Sequence, residues 1–186
     1  MEQYDKFLTD NNNIFLNGEI DQKIALEINQ KLIYLDRLKL PESQDLIEKG
    51  KSPTPVWFWI NSNGGSIING LSIIDTMEIM HMPIYTVIVG MAYSMAAIIS
   101  ISGDKRLATR NSSWMMHDSY GEHRGYSNKL DAQLNHNKKL EEKLMDILKK
   151  KTKLRKKQYD VASHYDLYLD SEECKEFKII DDILCI

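Results

Sequence analysis

Cysteine is scarce. The 186 residues hold two, Cys174 and Cys185. Two thiols near one end make no disulfide framework, and their spacing matches no metal-binding pattern; both are expected to be reduced. An excess of one charge is also lacking. Twenty-four Lys and Arg against 27 Asp and Glu leave a formal net charge of -3, which points to no polyanionic partner. No uninterrupted apolar run reaches membrane length. The longest, residues 84–101, is broken by Gly90, Ser94 and Ser100 and reads as a buried strand followed by a buried helix. The start, MEQYDKFLTD, is polar and acidic, so no secretory signal is expected and a cytoplasmic or organellar setting is. There is no Gly-x-Gly-x-x-Gly fingerprint and no Gly-Lys-Ser/Thr phosphate loop. No internal repeat occurs. The size suits a single domain.

What is present is an alternation of apolar runs and amphipathic stretches. Residues 13–16 read as a short strand. Residues 21–38 read as a helix capped by Asp21, with Ile24, Ile28, Leu32, Leu35 and Leu38 on one stripe. Residues 41–55, with three prolines, read as a loop. The run VWFWI at 56–60 is a strand, and 61–66 a turn into a helix over 67–80. A strand over 84–89 leads to a helix from Ser94, then strands over 106–109 and 113–116. This order predicts an α/β core with a parallel sheet and helical crossovers. Residues 127–151 predict a long amphipathic helix whose stripe breaks near Asn137, a projecting arm in need of a partner surface. Short helices over 156–163 and 171–177 and a strand at Ile179 and Ile180 complete the pattern. The basic run from Lys149 to Lys157 has no interleaved aromatic residues. It reads as a solvated face, and nucleic-acid binding is not expected.

Chemistry concentrates at Ser94. A serine where a strand turns directly into a helix exposes its hydroxyl beside free backbone N–H groups, the geometry of an acyl-transfer nucleophile. Gly64 and Gly65 stand at another strand-to-helix junction, where glycine lets the backbone approach a ligand. The N–H groups of Gly65 and Met95 are the candidate oxyanion donors; a plain turn is the alternative reading of the glycines. His117 ends a strand and is the candidate base. Asp118 is a poor orienter, because adjacent strand residues point to opposite faces. Asp166 is the candidate acid, with a solvated loop carboxylate as its alternative reading. His81 closes a helix and reads as structural. His123 lies on a glycine-flanked segment, His136 on the long helix and His164 near Asp166. The spacing of His117, Asp118 and His123 fits no metal motif.

Taken together, these segments resemble the ClpP family, the proteolytic subunit of the Clp protease, within the wider ClpP/crotonase superfamily. The matching pieces run in family order: Ile14-Phe15-Leu16, then Ile60-Asn61-Ser62-Asn63-Gly64-Gly65-Ser66, then Ile74-Asp75-Thr76-Met77, then Gly90-Met91-Ala92-Tyr93-Ser94-Met95. Asn111-Ser112-Ser113, Met116-His117, Tyr168-Leu169, Glu173 and Glu176 through Asp181 come after them. The resemblance implies a ClpP/crotonase-like α/β core with a projecting handle, the head being about 1–125 and 156–186 and the handle about 126–155. It implies a serine endopeptidase with Ser94, His117 and Asp166 as its triad and Gly65 and Met95 as its oxyanion hole. It implies heptameric rings stacked as a tetradecamer, a separate Clp-type ATPase, and peptide or unfolded-protein substrates. No cofactor, metal or membrane is implied. Gly125 and Tyr126 fall where the family's substrate-contacting strand joins the handle.

The chain also departs from the family. Asn63 stands where the family has proline, and Tyr93 where it has a small residue. Tyr165 and Leu167 flank Asp166, so the arginine beside the acid, which serves inter-ring ion pairing in the family, is absent. Residues 40–54 resemble an insertion. The N-terminus is short for the axial loops that contact the ATPase. Divergent viral, phage or organellar relatives show such differences. Three rival readings stand beside degradation: a phage-type capsid maturation protease, a catalytically inactive structural ring subunit, and an acyl-coenzyme A enzyme of the crotonase class.

Overall fold

The structure is a computed structural model that describes residues 11–117 and 127–184. The expectations for residues 1–10, Asp118, His123, Gly125, Tyr126 and Cys185 lie outside the described residues. Strands β1 (Asn13–Ile20), β2 (Val56–Gly65), β3 (Ile84–Tyr93), β4 (Lys105–Thr109), β5 (Ser113–Met116), β6 (Leu167–Asp170) and β7 (Asp182–Leu184) form one sheet. Helices are α1 (Gln22–Glu48), α2 (Ile67–Glu78), α3 (Met95–Ile101), α4 (Ser127–Lys151), α5 (Lys156–Ala162) and α6 (Ser171–Glu176). The main path runs β1-β2-β3-β4-β7, with every neighbour parallel. Strand β5 also pairs parallel with β3, and β6 pairs antiparallel with β5. The expected mixed α/β core with a mostly parallel sheet is therefore present.

Period-two alternation decides which sheet face is buried. Ile14, Leu16, Val56, Phe58, Ile60, Ile84 and Ile88 are buried. They share a core with Ile28, Leu32 and Leu35 of α1, Ile73 and Ile74 of α2, and the whole of α3. The opposite face carries a row of rings, Phe15, Trp59, Trp57 and Tyr85, in contact along the row. No helix among the described residues is long and apolar enough to cross a membrane.

Several boundaries differ from the sequence reading. Helix α1 continues through Pro41 to Glu48, although residues 41–55 read as loop. Proline costs one intrahelical hydrogen bond, yet Asp45 and the buried Ser43 lie beyond it on continuous helix, and Asp45 pairs with Lys49 at the C-terminal cap. Leu38 is 49% exposed, so it leaves the buried stripe. Strand β2 runs to Gly65 where a turn was expected at 61–66. Asn61 explains this: its Nδ2 donates to Asn17 Oδ1 of β1 (3.0 Å), while its Oδ1 accepts from the Met91 N–H of β3 (3.3 Å). Polar side chains thus continue the ladder in place of apolar packing. Strand β7 begins at Asp182, not at Ile179, because Asp182 is the residue in register with Leu107. Ile179 and Ile180 are still fully buried. Strand β6 was not anticipated. Helix α4 matches its expected span and divides its roles: residues 131–136 are exposed, whereas Leu144 and Leu148 are buried against the core.

Two carboxylates tie the periphery together. Asp36, buried on α1, accepts the N–H groups of His81 (2.8 Å) and Met82 (3.3 Å), and its Oδ2 lies 3.0 Å from His81 Nδ1. That gives His81 the structural place its position suggested. Asp181 meets Arg106 through Nη2 at 2.6 Å and the backbone N–H at 2.8 Å, while Arg106 Nη1 donates to the carbonyls of Lys151 and Lys178. One guanidinium therefore joins β4, the end of α4 and the approach to β7. Partial burial pushes the Asp181 carboxyl up, but the bonds from Arg106 outweigh it and hold the group below its ordinary value. Unfolded, this carboxyl binds its proton more readily than folded. Its contribution is therefore complete above the ordinary carboxylate range and is lost as pH falls through the depressed folded value. Arg106→Ala should cost about 2 kcal/mol at neutral pH, less the screening of a partly exposed partner. Asp181→Asn should lose most between pH 5 and 7 and converge on the parent in acid, read by denaturant melts across pH.

Candidate active site

The site begins at the junction of β3 and α3. Ser94 joins them with φ 53 and ψ -121, a left-handed backbone that a non-glycine residue adopts only where its surroundings enforce it. Two contacts enforce it. The Ser94 N–H donates to the Met115 carbonyl of β5 (2.8 Å), and the Ala97 N–H donates to the Ser94 carbonyl (3.0 Å) to start the helix. The Ser94 side chain makes no capping bond to α3. Its hydroxyl is thus not engaged by the helix it introduces.

Gly64 closes in from β2. A Cβ there would lie 2.6 Å from the Tyr93 carbonyl oxygen and 2.9 Å from Ser94 Cβ. Gly65 has φ +145, and its Cβ would lie 2.5 Å from the Ile20 carbonyl oxygen. Only glycine lets the end of β2 pass this close to the serine turn. Gly65 and Met95, the two expected oxyanion donors, line the same cavity as Ser94.

His117 follows β5, and β5 pairs with the second half of β3 in the register Tyr93↔Met115. Ser94 and His117 therefore leave neighbouring parallel strands at their carboxyl ends, where open α/β sheets bind ligands. Asp166 precedes β6. The antiparallel register Met116↔Leu167 sets His117 opposite Asp166 one step further on. Their side chains meet with Nδ1 and Oδ1 3.7 Å apart, the histidine 21% and the aspartate 42% exposed. This is ion-pair distance, longer than a closed hydrogen bond. Catalytic bonds are often long in free enzymes and tighten around substrate.

Ser94 and His117 share the wall of a cavity of about 350 Å³. Asp166 stands behind the histidine and does not line it. The opposite wall comes from Glu141, Leu144, Met145 and Leu148 of α4 and from Tyr159 of α5. Sequence reasoning saw the leucines as a stripe seeking a partner but did not see that the stripe roofs this cavity. A second unanticipated residue is Tyr168. Its hydroxyl donates to Asp166 Oδ2 at 3.3 Å, and its ring meets Tyr93 edge-on at 5.6 Å. Slight desolvation and the nearby Asp166 charge hold the phenol above its ordinary pKa. The remaining described histidines lie apart from the cavity lining: His136 is exposed on α4, and His164 Nδ1 lies 2.9 Å from the Asp160 carbonyl oxygen. Cys174 is buried, and burial pushes its thiol well up, away from the reactive thiolate.

A family model described as Clp protease matches residues 1–185. The chain belongs to the Clp protease family, a family of peptidases.

The glycine requirement at the serine turn is testable. Gly64→Ala adds a methyl against backbone at a positive φ, and should lower stability by about 1–3 kcal/mol. Gly50→Ala, also at positive φ but with nothing within 4 Å of its Cβ, should cost about 1 kcal/mol from strain alone. Equal losses in chemical denaturation would show that crowding at Ser94 contributes nothing.

Proposed function

We propose that this Clp-family chain is a serine endopeptidase with Ser94 as nucleophile, His117 as general base and Asp166 as its orienting acid. The observation that carries the reading is the shared cavity: Ser94 and His117 face it from adjacent strand ends, with Asp166 3.7 Å behind the imidazole. His117 accepts the Ser94 proton as Oγ attacks a peptide carbonyl. The N–H groups of Gly65 and Met95 receive the oxyanion, each contributing roughly 3 kcal/mol to the transition state in such sites. His117 then protonates the leaving amine, and water hydrolyses the acyl-enzyme by the same route reversed. Asp166 keeps the imidazole in the required tautomer and balances its charge. The walls from α4 and α5 are mostly apolar, which suits an extended peptide with apolar side chains.

The wider assembly is part of the same proposal. The head, about residues 1–125 and 156–186, carries the chemistry, and the handle, about 126–155, joins two rings. Heptameric rings stacked as a tetradecamer enclose the sites, and a Clp-type ATPase feeds unfolded protein to them. Two features support assembly with further copies. Residues 131–136 of α4 are exposed, Leu134 among them at 40%. The aromatic row on the sheet leaves Phe15 exposed and its neighbours half-buried, an apolar surface typical of obligate contacts.

Ser94→Ala should abolish both hydrolysis of a short fluorogenic peptide and labelling by a fluorophosphonate. Asp166→Asn should cost on the order of 10⁴ in kcat, the fall seen when a triad loses its orienting charge. Native mass should correspond to a tetradecamer, and casein should be degraded only with a Clp-type ATPase present. Full peptide turnover in the Ser94→Ala protein defeats the catalytic assignment.

A further inference from the structure

Asp166 has a problem of freedom. It sits just outside β6 with its side chain 42% exposed. A half-solvated carboxylate of this kind samples several rotamers and is screened from its partner. Opposite His117, it is useful only while Oδ1 points at Nδ1. The second oxygen is where the chain intervenes. Oδ2 accepts the Tyr168 hydroxyl at 3.3 Å while Oδ1 faces His117 at 3.7 Å. With different partners for its two oxygens, the carboxylate has one preferred rotation about its final bond.

Tyr168 is itself held. It lies two residues after Asp166, hence on the same side of the strand. It pairs with Met115 of β5, and Met115 pairs with Tyr93 of β3. Across that row the Tyr93 and Tyr168 rings meet edge to face, 5.6 Å apart with planes at 85°, a favourable aromatic geometry. Tyr93 is the residue before Ser94. The connection therefore runs from the serine turn through two rings to the acid, and from the acid to the base. The titratable groups acting on Tyr168 are Asp166 and Tyr93. The phenol is held above its ordinary pKa, so it remains a donor throughout the range in which a histidine base works.

We infer that Tyr168 is a positioning residue: braced by the Tyr93 ring, its hydroxyl keeps the Asp166 carboxylate turned toward His117. This rests on the peptidase reading above for its consequence, although the contact itself does not. It also accounts for two departures from the family at once. A large ring at Tyr93 and a lone aspartate without its arginine neighbour are parts of one support. In the Tyr168→Phe protein water replaces the phenol as donor at the exposed oxygen, so loss of position is the effect that remains.

The test uses the full chain and two readouts. Ring-labelled histidine NMR follows His117, identified by loss of its signal in His117→Gln. Tyr168→Phe keeps the ring against Tyr93 and removes only the hydroxyl. It should move part of the His117 ring from the Nδ1–H to the Nε2–H tautomer, a smaller change of the kind expected in Asp166→Asn. Peptide hydrolysis should show kcat reduced about 3- to 10-fold, the scale of one hydrogen bond to a charged group, with KM unchanged. In the Asp166→Asn background the same change should cost nothing further, because a residue acting through Asp166 has nothing left to position. An unchanged His117 tautomer in Tyr168→Phe overturns the inference, as does an equal fold-loss in both backgrounds. If the protein hydrolyses no peptide, the tautomer alone decides. A loss of the Nδ1–H form then upholds the positioning while the peptidase reading fails.

Discussion

Strand β3 cannot pair with β4 and β5 along the same stretch of one edge, so that edge is divided. Residues 85–88 pair with β4, and residues 91–93 pair with β5. Val89 and Gly90 lie at the division, and Gly90 has φ +89. The division needs a filler on the other side. Asn61 of β2 supplies it: a Cβ on Gly90 would lie 2.7 Å from Asn61 Oδ1, and that oxygen accepts the Met91 N–H. One side-chain amide thus takes over where backbone pairing slips, and its nitrogen reaches across to β1. Without the division, β5 has no edge to occupy. His117 would then not emerge beside Ser94, and β6 would have nothing against which to carry Asp166.

The strained serine turn is tolerated because the helix it starts is deeply buried. A residue such as Ser94, held at φ 53, carries about 1–3 kcal/mol of strain. Helix α3 is buried along its whole length, and Met95, Ile98, Ile99 and Ile101 are each almost completely removed from water. Each such side chain contributes about 2 kcal/mol on burial, so the helix outweighs the turn. Burial on this scale also explains why small residues alternate with large ones there. Ala96 and Ala97 are fully buried and let α3 lie close to the sheet. The Trp114 indole donates to the Ala97 carbonyl at 3.4 Å. Core packing and site geometry are one arrangement viewed from two sides.

Much of this was readable from residue order, for definite reasons. Apolar runs such as VWFWI announce strands because burial on one face needs alternation, and Ser94 stood out because a strand met a helix with nothing between. The Gly64-Gly65 pair pointed to a close approach to a ligand; Gly64 passes close to Ser94, and Gly65 to Ile20 of β1. What escaped was decided by partners distant in the chain. Residues 61–65 have turn composition but extend a strand because β1 and β3 supply the bonds. Pro41 suggested an end to α1, but a single missing donor does not end a helix whose other bonds persist. Strand β6 is short, and its pairing with β5 rests on a register no local pattern encodes. The hydroxyl of Tyr168 reaches Asp166 through that register, so its part could not be read before the strands were paired.

The position of Asp166 has a further consequence. A fully buried aspartate would act on an imidazole strongly through charge alone, because little water would intervene. Asp166 is 42% exposed, and at such a site charge is heavily screened. What remains is geometry: the antiparallel β5–β6 register fixes both backbones, and the bond at Oδ2 restricts the rotation of the carboxylate. His117 is better shielded, at 21% exposure, and it is the group that faces the cavity. The division of labour arises from solvent access. His117 sits where water is thin, and Asp166 sits where hydrogen bonds and strand pairing must substitute for a low dielectric.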